Sequence, residues 1–250
     1  MFHLAGFFED VDQGGALLAI AAMADQALNT NGDDLTVPRD LNFLAGLSLL
    51  TAATTVTSAQ VRAPSLLDTV YQDLSTIVLA DDYTSPPALD LFPQSPRQLI
   101  GDEDLQFWTN TDHAAAIEIQ GLVWLADGPL SPVTGQIFTV RATGASALAQ
   151  GTWINSNLTL SQTLPVGEYQ IVGMRAEGAN LQAARLSFTG GGYRPGCPGS
   201  NGYGDVGEPL FRYGRLGSWG QFSSTALPSL DCLGITDTAQ DVFLDLIKVG

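Results

Sequence analysis

The chain carries a single lysine, Lys248, and only 10 basic residues against 26 acidic ones, for a formal net charge of −16. Such a surface repels phosphate backbones and has few cations to replace condensed counterions. Direct, sequence-independent binding of DNA or RNA is therefore not expected. Histidine is almost as scarce. His3 and His113 are the only two, too few for most zinc sites and for many imidazole-based mechanisms. Two cysteines, Cys197 and Cys232, allow either one disulfide or two small buried thiols, and both readings stand. Charged residues make up only 14% of the chain, low for a heavily salt-adapted surface, so the acidity reads as a source of solubility. No uncharged run reads as a membrane span. The run that comes closest, residues 41–61, is rich in Thr and Ser and contains Asn42. The first ten residues lack a basic stretch, so no secretory leader is expected.

What is present is a succession of short β-branched or aromatic runs bounded by Gly, Pro or Asn. Gly121-Leu122-Val123-Trp124-Leu125, Gly135-Gln136-Ile137-Phe138-Thr139-Val140-Arg141, Glu168-Tyr169-Gln170-Ile171-Val172-Gly173-Met174 and Gln182-Ala183-Ala184-Arg185-Leu186-Ser187-Phe188 share this character. So does the closing segment, residues 240–249. Such runs with turn signals between them predict a β-sandwich or barrel. The closing run is apolar on both faces, with Val242, Leu244 and Leu246 on one and Phe243 and Ile247 on the other, which predicts a central strand.

The first third reads differently. Leu17, Leu18, Ile20, Ala21, Ala24 and Leu28 recur near helical spacing and predict a helix over residues 15–29. Residues 40–50 also read as helical, and Pro64-Ser65 fits the start of a third helix reaching residue 77. The prolines at 86, 87, 93 and 96 place a domain boundary near residue 85. The expected organisation is thus an N-terminal helical region, residues 1–85, and a β-sandwich of jelly-roll type, residues 86–250.

No motif supplies a catalytic constellation. There is no Gly-x-Ser-x-Gly elbow, and His113 reads as a surface-turn residue. The glycine-rich stretch 190–204 lacks the Gly-Lys-Ser/Thr end of a phosphate-binding loop. Asn29, Asn31 and Asp33 offer oxygens in a turn, but the glycine is out of place for a calcium loop, and a solvated turn is the better reading. Asp102, Glu103 and Asp104, or Glu168 and Glu177, invite a glycosidase reading, and Trp108, Trp124, Trp153 or Trp219 a sugar-stacking one. Chance proximity in an acidic protein and core packing are the competing explanations. The expectation is a protein that is not an enzyme and holds neither cofactor nor metal.

One group of residues stands out near the long Gly/Pro loop. Tyr193, Arg194, Tyr203, Phe211, Arg212, Tyr213, Arg215 and Trp219 combine arginine with aromatics, the types enriched at protein interfaces. They are candidate subunit-interface residues. The alternative, that they pack the end of their own sandwich, has equal standing.

From residue 89 onward the chain resembles viral capsid proteins of the jelly-roll type, in particular those of tailless icosahedral bacterial and archaeal viruses. The resemblance rests on Leu99-Ile100-Gly101-Asp102-Glu103-Asp104-Leu105, Gly121 to Gly128, Leu164 to Gly173, and Thr238 to Ile247, which are general patterns rather than a signature. It implies two packed four-stranded sheets, a trimer or larger homo-oligomer, other capsid proteins as partners, location in the virion after synthesis in a host cytoplasm, and no catalytic residues. An acidic shell subunit would leave genome neutralisation to a basic partner layer or an internal membrane. Two further readings remain: a carbohydrate-binding β-sandwich module of a fibre or appendage, and a glycoside-active enzyme.

Overall fold

A computed structural model describes residues 1–51, 56–66, 72–74, 88–111, 115–144, 147–200 and 208–250. The chain divides into two compact units, Leu4–Pro129 and Leu130–Gly250 with Met1–His3. The division falls at the Asp127-Gly128-Pro129 turn rather than in the proline-rich stretch, where Ala88–Leu91 and Arg97–Gln98 pair as strands within the first unit.

In the Leu4–Pro129 unit the strands are β1 (Phe2–Val11, which begins two residues before the unit), β2 (Leu17–Ile20), β3 (Thr30–Asn31), β4 (Asp34–Thr36), β5 (Phe43–Thr51), β6 (Val56–Arg62), β7 (Gln72–Leu74), β8 (Ala88–Leu91), β9 (Arg97–Gln98), β10 (Asp104–Thr111) and β11 (Ile117–Ala126). They form two sheets. One has the order β1-β11-β5-β8 with β9 on β5, and the other β3-β4-β10-β6-β7 with β2 on β10. The sheets pack face to face. A Cβ on Gly121 of β11 would lie 2.9 Å from the Phe107 ring of β10, and Phe107 also meets Phe7 of β1 at 5.7 Å between ring centres. Glycine at 121 is what lets a phenylalanine from the opposite sheet seat against the backbone.

No helical N-terminal region exists among the described residues. The span expected as a first helix contains strand β2 and the second is strand β5; of the third, the described residues form a 3-10 turn, Pro64–Leu66, and strand β7, and residues 67–71 and 75–77 lie outside the described residues. For β5 the physical reason is plain. It lies between β11 and β8 and is buried along almost its whole length. A strand covered on both faces shows a continuous apolar run, which periodicity alone does not separate from a buried helix.

In the second unit the strands are β12 (Phe138–Gly144), β13 (Ile154–Asn157), β14 (Thr159–Leu160), β15 (Glu168–Glu177), β16 (Leu181–Ser187), β17 (Gly196–Ser200), β18 (Gly220–Ser223), β19 (Ser229–Gly234) and β20 (Gln240–Lys248). Their order is β13-β19-β16-β17-β15-β20-β12-β14, with β18 on β15. Strand β17 joins two limbs. Residues 196–198 run antiparallel to β16, and residues 199–200 run parallel to β15. The limbs face each other across a core. The Cys232 sulfur on β19 lies 3.9 Å from Gln240 Oε1 on β20, and Leu230 abuts Gly144 of β12. The arrangement is sandwich-like and, apart from the short β15–β17 pair, antiparallel.

The closing strand is central, as its composition predicts, with β15 on one side and β12 on the other. Val242, Leu244 and Leu246 are fully buried, while Phe243 and Ile247 are half-buried. Cys197 and Cys232 flank Ala184 on either side of β16. Two strand spacings separate them, about 9–10 Å between Cα atoms, too far for a bridge, and neither forms a disulfide.

Candidate functional site

The arginine and aromatic residues near the long loop separate into two kinds. Phe211, Arg212 and Trp219 are buried, Tyr193 and Arg194 are half-buried, and Tyr213 and Arg215 are exposed. Tyr203 lies outside the described residues, as do His113 and the acidic pair Asp81-Asp82. Trp219 meets Phe2 edge to face at 5.1 Å. Arg212 donates from Nε and Nη2 to the Asp245 carboxylate at 2.7 and 2.8 Å. Asp245 also accepts from the Tyr213 backbone N–H at 2.9 Å and from Thr139 Oγ1 at 2.7 Å. Four donors therefore converge on one fully buried carboxylate in the middle of β20. The arginine plane stacks on the Tyr213 ring at 4.6 Å, and Tyr213 takes a left-handed φ of 54°. A non-glycine residue in that region stores strain unless its surroundings over-determine it.

A second buried ion cluster lies in the same unit. Register places Asn155, Asp231 and Arg185 side by side across β13, β19 and β16. Arg185 Nε and Arg194 Nη1 both donate to Asp231 Oδ2, at 3.0 and 2.5 Å, while Asn155 donates to Oδ1 at 2.7 Å. Arg185 stacks on Trp153 at 4.1 Å, and the Arg194 backbone N–H donates to His3 Nδ1 at 3.1 Å. Burying charge on both sides costs desolvation that only pairing offsets. The pairing here ties the loop that carries Tyr193 and Arg194 onto the sheet. Sequence reasoning did not single out His3, Arg185, Asp231 or Asp245 as site residues. The available signal was a charged residue inside an otherwise apolar strand, since such a residue is rarely buried unless paired.

The carboxylates considered for glycoside chemistry are not brought together as acid and base. Glu168 and Glu177 stand at opposite ends of β15, roughly 30 Å apart at strand rise, whereas paired glycosidase carboxyls lie within about 10 Å. Asp102 pairs with Arg39 at 2.5 Å on the surface, and the Arg39 guanidinium is held above its ordinary range chiefly by that hydrogen bond. Glu103 accepts from Ser65 N, Ser65 Oγ and Ile100 N at 2.9, 2.5 and 2.8 Å, which fastens one turn to another. Burial, and secondarily Asp231, pushes the Cys232 thiol up to about 12, so it is not a nucleophile near neutral pH. No group of three His, Cys, Asp or Glu side chains with metal-holding geometry occurs among the described residues. No helix among them is long and apolar enough to cross a membrane.

The outer face of the second sheet of the Leu4–Pro129 unit holds a pocket of about 340 Å³, lined by Asp34, Arg62, Ala63, Pro64, Asp104, Gln106 and Trp108. Strand alternation creates it. Leu105, Phe107 and Thr109 of β10 point into the core, leaving Asp104, Gln106 and Trp108 outside. Gln106 Nε2 donates to Asp34 Oδ1 at 2.7 Å, and Gln106 Oε1 accepts from Trp108 Nε1 at 2.9 Å. Arg62 stacks on the indole at 4.2 Å and is held by two bonds to Gln60 Oε1, at 3.0 and 2.7 Å.

No protein-family model matches this sequence, and no curated protein matches it. Two solved structures align over the whole chain. One is the major capsid protein P2 from bacteriophage PM2, at 11% identity over 98% of that chain, with a TM-score of 0.27. The other is a xanthan lyase from Paenibacillus, at 10% identity over 25% of that chain, with a TM-score of 0.27. At these TM-scores neither likeness carries an argument about this chain.

Proposed function

We propose that this chain is a non-enzymatic structural subunit of a virion capsid, assembling with copies of itself into a trimer or larger shell. The observation that carries the reading is Tyr213. Its side chain is 58% exposed, its backbone is left-handed, and it is stacked on an arginine whose other contacts are buried on Asp245. A large aromatic displayed at a strained, rigid turn suits an interface anchor, because little freedom is left to lose on docking. Arg215, exposed two residues on, adds a cation that an acidic neighbouring copy would attract. The likeness of the strand-forming segments to jelly-roll capsid proteins supports the same reading. With a net charge of −16, such a subunit leaves contact with the genome to other capsid proteins, a basic layer or an internal membrane.

The test uses light scattering after size exclusion, with negative-stain microscopy. The full chain is expected as trimers or larger particles, and Tyr213→Gly, which relieves the strained φ while deleting the ring, as folded monomers. A wild-type chain that stays monomeric at high concentration overturns the proposal. So does a Tyr213→Gly variant that assembles normally.

A further inference from the structure

We propose that the pocket over Gln106 is a saccharide-binding site that takes one pyranose ring of a glycan. It lies in the Leu4–Pro129 unit and does not depend on the capsid reading. The chemistry of the lining eliminates the other ligand classes. Two carboxylates, Asp34 and Asp104, disfavour a phosphate or another anion. The Arg62 guanidinium beside them disfavours a simple cation. Gln106, Arg62 and the two acids make the lining too polar for an apolar ligand. A neutral polyol meets all of these at once, because each hydroxyl both donates and accepts. Carboxylates on one wall accept hydroxyl protons, and a guanidinium on the other donates to hydroxyl oxygens. Ala63 and Pro64 offer apolar surface to the C–H face of a ring, beside Trp108, one face of which Arg62 covers.

Size and order agree with this chemistry. The volume of 340 Å³ falls at the small end of ligand pockets, about 300–1,000 Å³, which suits a single sugar ring rather than a long oligosaccharide. The groups are also held before any ligand arrives. Gln106 is fixed at both ends of its amide, by Asp34 and by Trp108, and Arg62 is fixed by Gln60 and by the indole. Pre-ordered side chains cost less entropy on binding. The other tryptophans do not offer this. Trp124 and Trp219 are buried, and Trp153 is tied through Arg185 to the Asp231 cluster.

Saturation-transfer difference NMR on the full chain tests the site, with the methyl glycosides of glucose, galactose, mannose and N-acetylglucosamine as probes. At least one is expected to bind in the millimolar range. Gln106→Ala and Asp34→Ala are each expected to weaken it about tenfold, the loss of one good hydrogen bond to a charged or fixed group. Tyr213→Gly is expected to bind as the wild type does. If Gln106→Ala fails to fold, Asp34→Asn carries the same test, since it keeps the shape and removes the charge. No signal from any of the four glycosides overturns the proposal. So does a signal unchanged in the Asp34 variant, or binding of methylguanidinium with none of the glycosides.

Discussion

Arg212 and Asp245 form a two-pronged ion pair, 2.7 and 2.8 Å long, with both side chains buried. Asp245 belongs to the central strand β20, and Arg212 to the turn that presents Tyr213. The pair therefore converts the register of a core strand into the position of a surface residue. Breaking it by Asp245→Ala strands a buried guanidinium, and the expected cost is about 3–5 kcal/mol. Chemical denaturation of Asp245→Ala, Arg212→Ala and the double variant checks this. The double variant is expected to be much less destabilised than the sum of the singles, because the second removal deletes an already unpaired charge. Additive effects would show that the pair is not coupled.

Gly173 makes room for this turn. It sits at a register shift in β15, and a Cβ there would lie 2.6 Å from Asp245 Oδ2 and 2.9 Å from both the Phe211 carbonyl oxygen and the Tyr213 nitrogen. Two of those atoms are backbone and do not move cheaply. Gly173→Ala is expected to cost about 1–3 kcal/mol, as overpacking does. It is also expected to move the Tyr213 resonances in a backbone NMR spectrum while leaving those of β10 in place. An unchanged Tyr213 environment would contradict the close approach.

How much of this was legible beforehand varied with the type of signal. The β20 run announced a central strand because both of its faces are apolar, and the register with β15 and β12 agrees. The span of β5 gave no such guidance. The segment Phe43 to Thr51 holds four leucines and an alanine, which favour a helix, but it is buried on both faces and pairing with β11 overrides that propensity. Leu17, Leu18 and Ile20 happen to fit a helical stripe but pair with β10 as a four-residue strand. Of the site, the arginines and tyrosines were visible as types, but their partners were not. Arg185 and Asp231 are 46 residues apart and Arg212 and Asp245 are 33, separations closed by sheet register in the first case and by the turn that carries Arg212 in the second.

Asp231 joins two arginines, and its loss is expected to release the loop that precedes β17. Asp231→Asn keeps the size and the bond from Asn155 in reach, but it removes the charge that Arg185 and Arg194 share. The expected result is faster proteolysis within residues 188–195 together with a loss of about 3 kcal/mol or more. Limited proteolysis with mass readout separates that outcome from a uniform loss of stability.

The thiols report opening of the second unit. Cys197 and Cys232 are 2% and 1% exposed, and Cys232 is further protected by a thiol pushed up to about 12 by burial first and Asp231 second. At pH 8 a thiol-reactive dye is expected to label neither residue in the native chain and to label both once denaturant unfolds it. Labelling kinetics that follow unfolding support a closed core. Rapid native labelling would show that the two limbs part readily.

Glu9, half-buried on β1, gives the first unit a pH dependence of definite sign. Burial, and secondarily the nearby Asp33, raises its carboxyl above the ordinary value of 4.5, against a smaller pull downward from the Ala21 backbone. The folded chain thus holds this proton more tightly than the unfolded chain does. The linked stability is fully present below 4.5 and is lost as pH rises through the raised native value. At neutral pH the charge on Glu9 works against folding. Glu9→Gln is therefore expected to raise the melting temperature at pH 7, with the gain over wild type shrinking as pH falls through the raised native value and gone below 4.5. Asp33→Asn is expected to act in the same direction and less strongly, since it removes only the second cause. Melting curves of the three proteins across that range decide the matter. A Glu9→Gln advantage that stays constant with pH would assign the effect to packing rather than to charge.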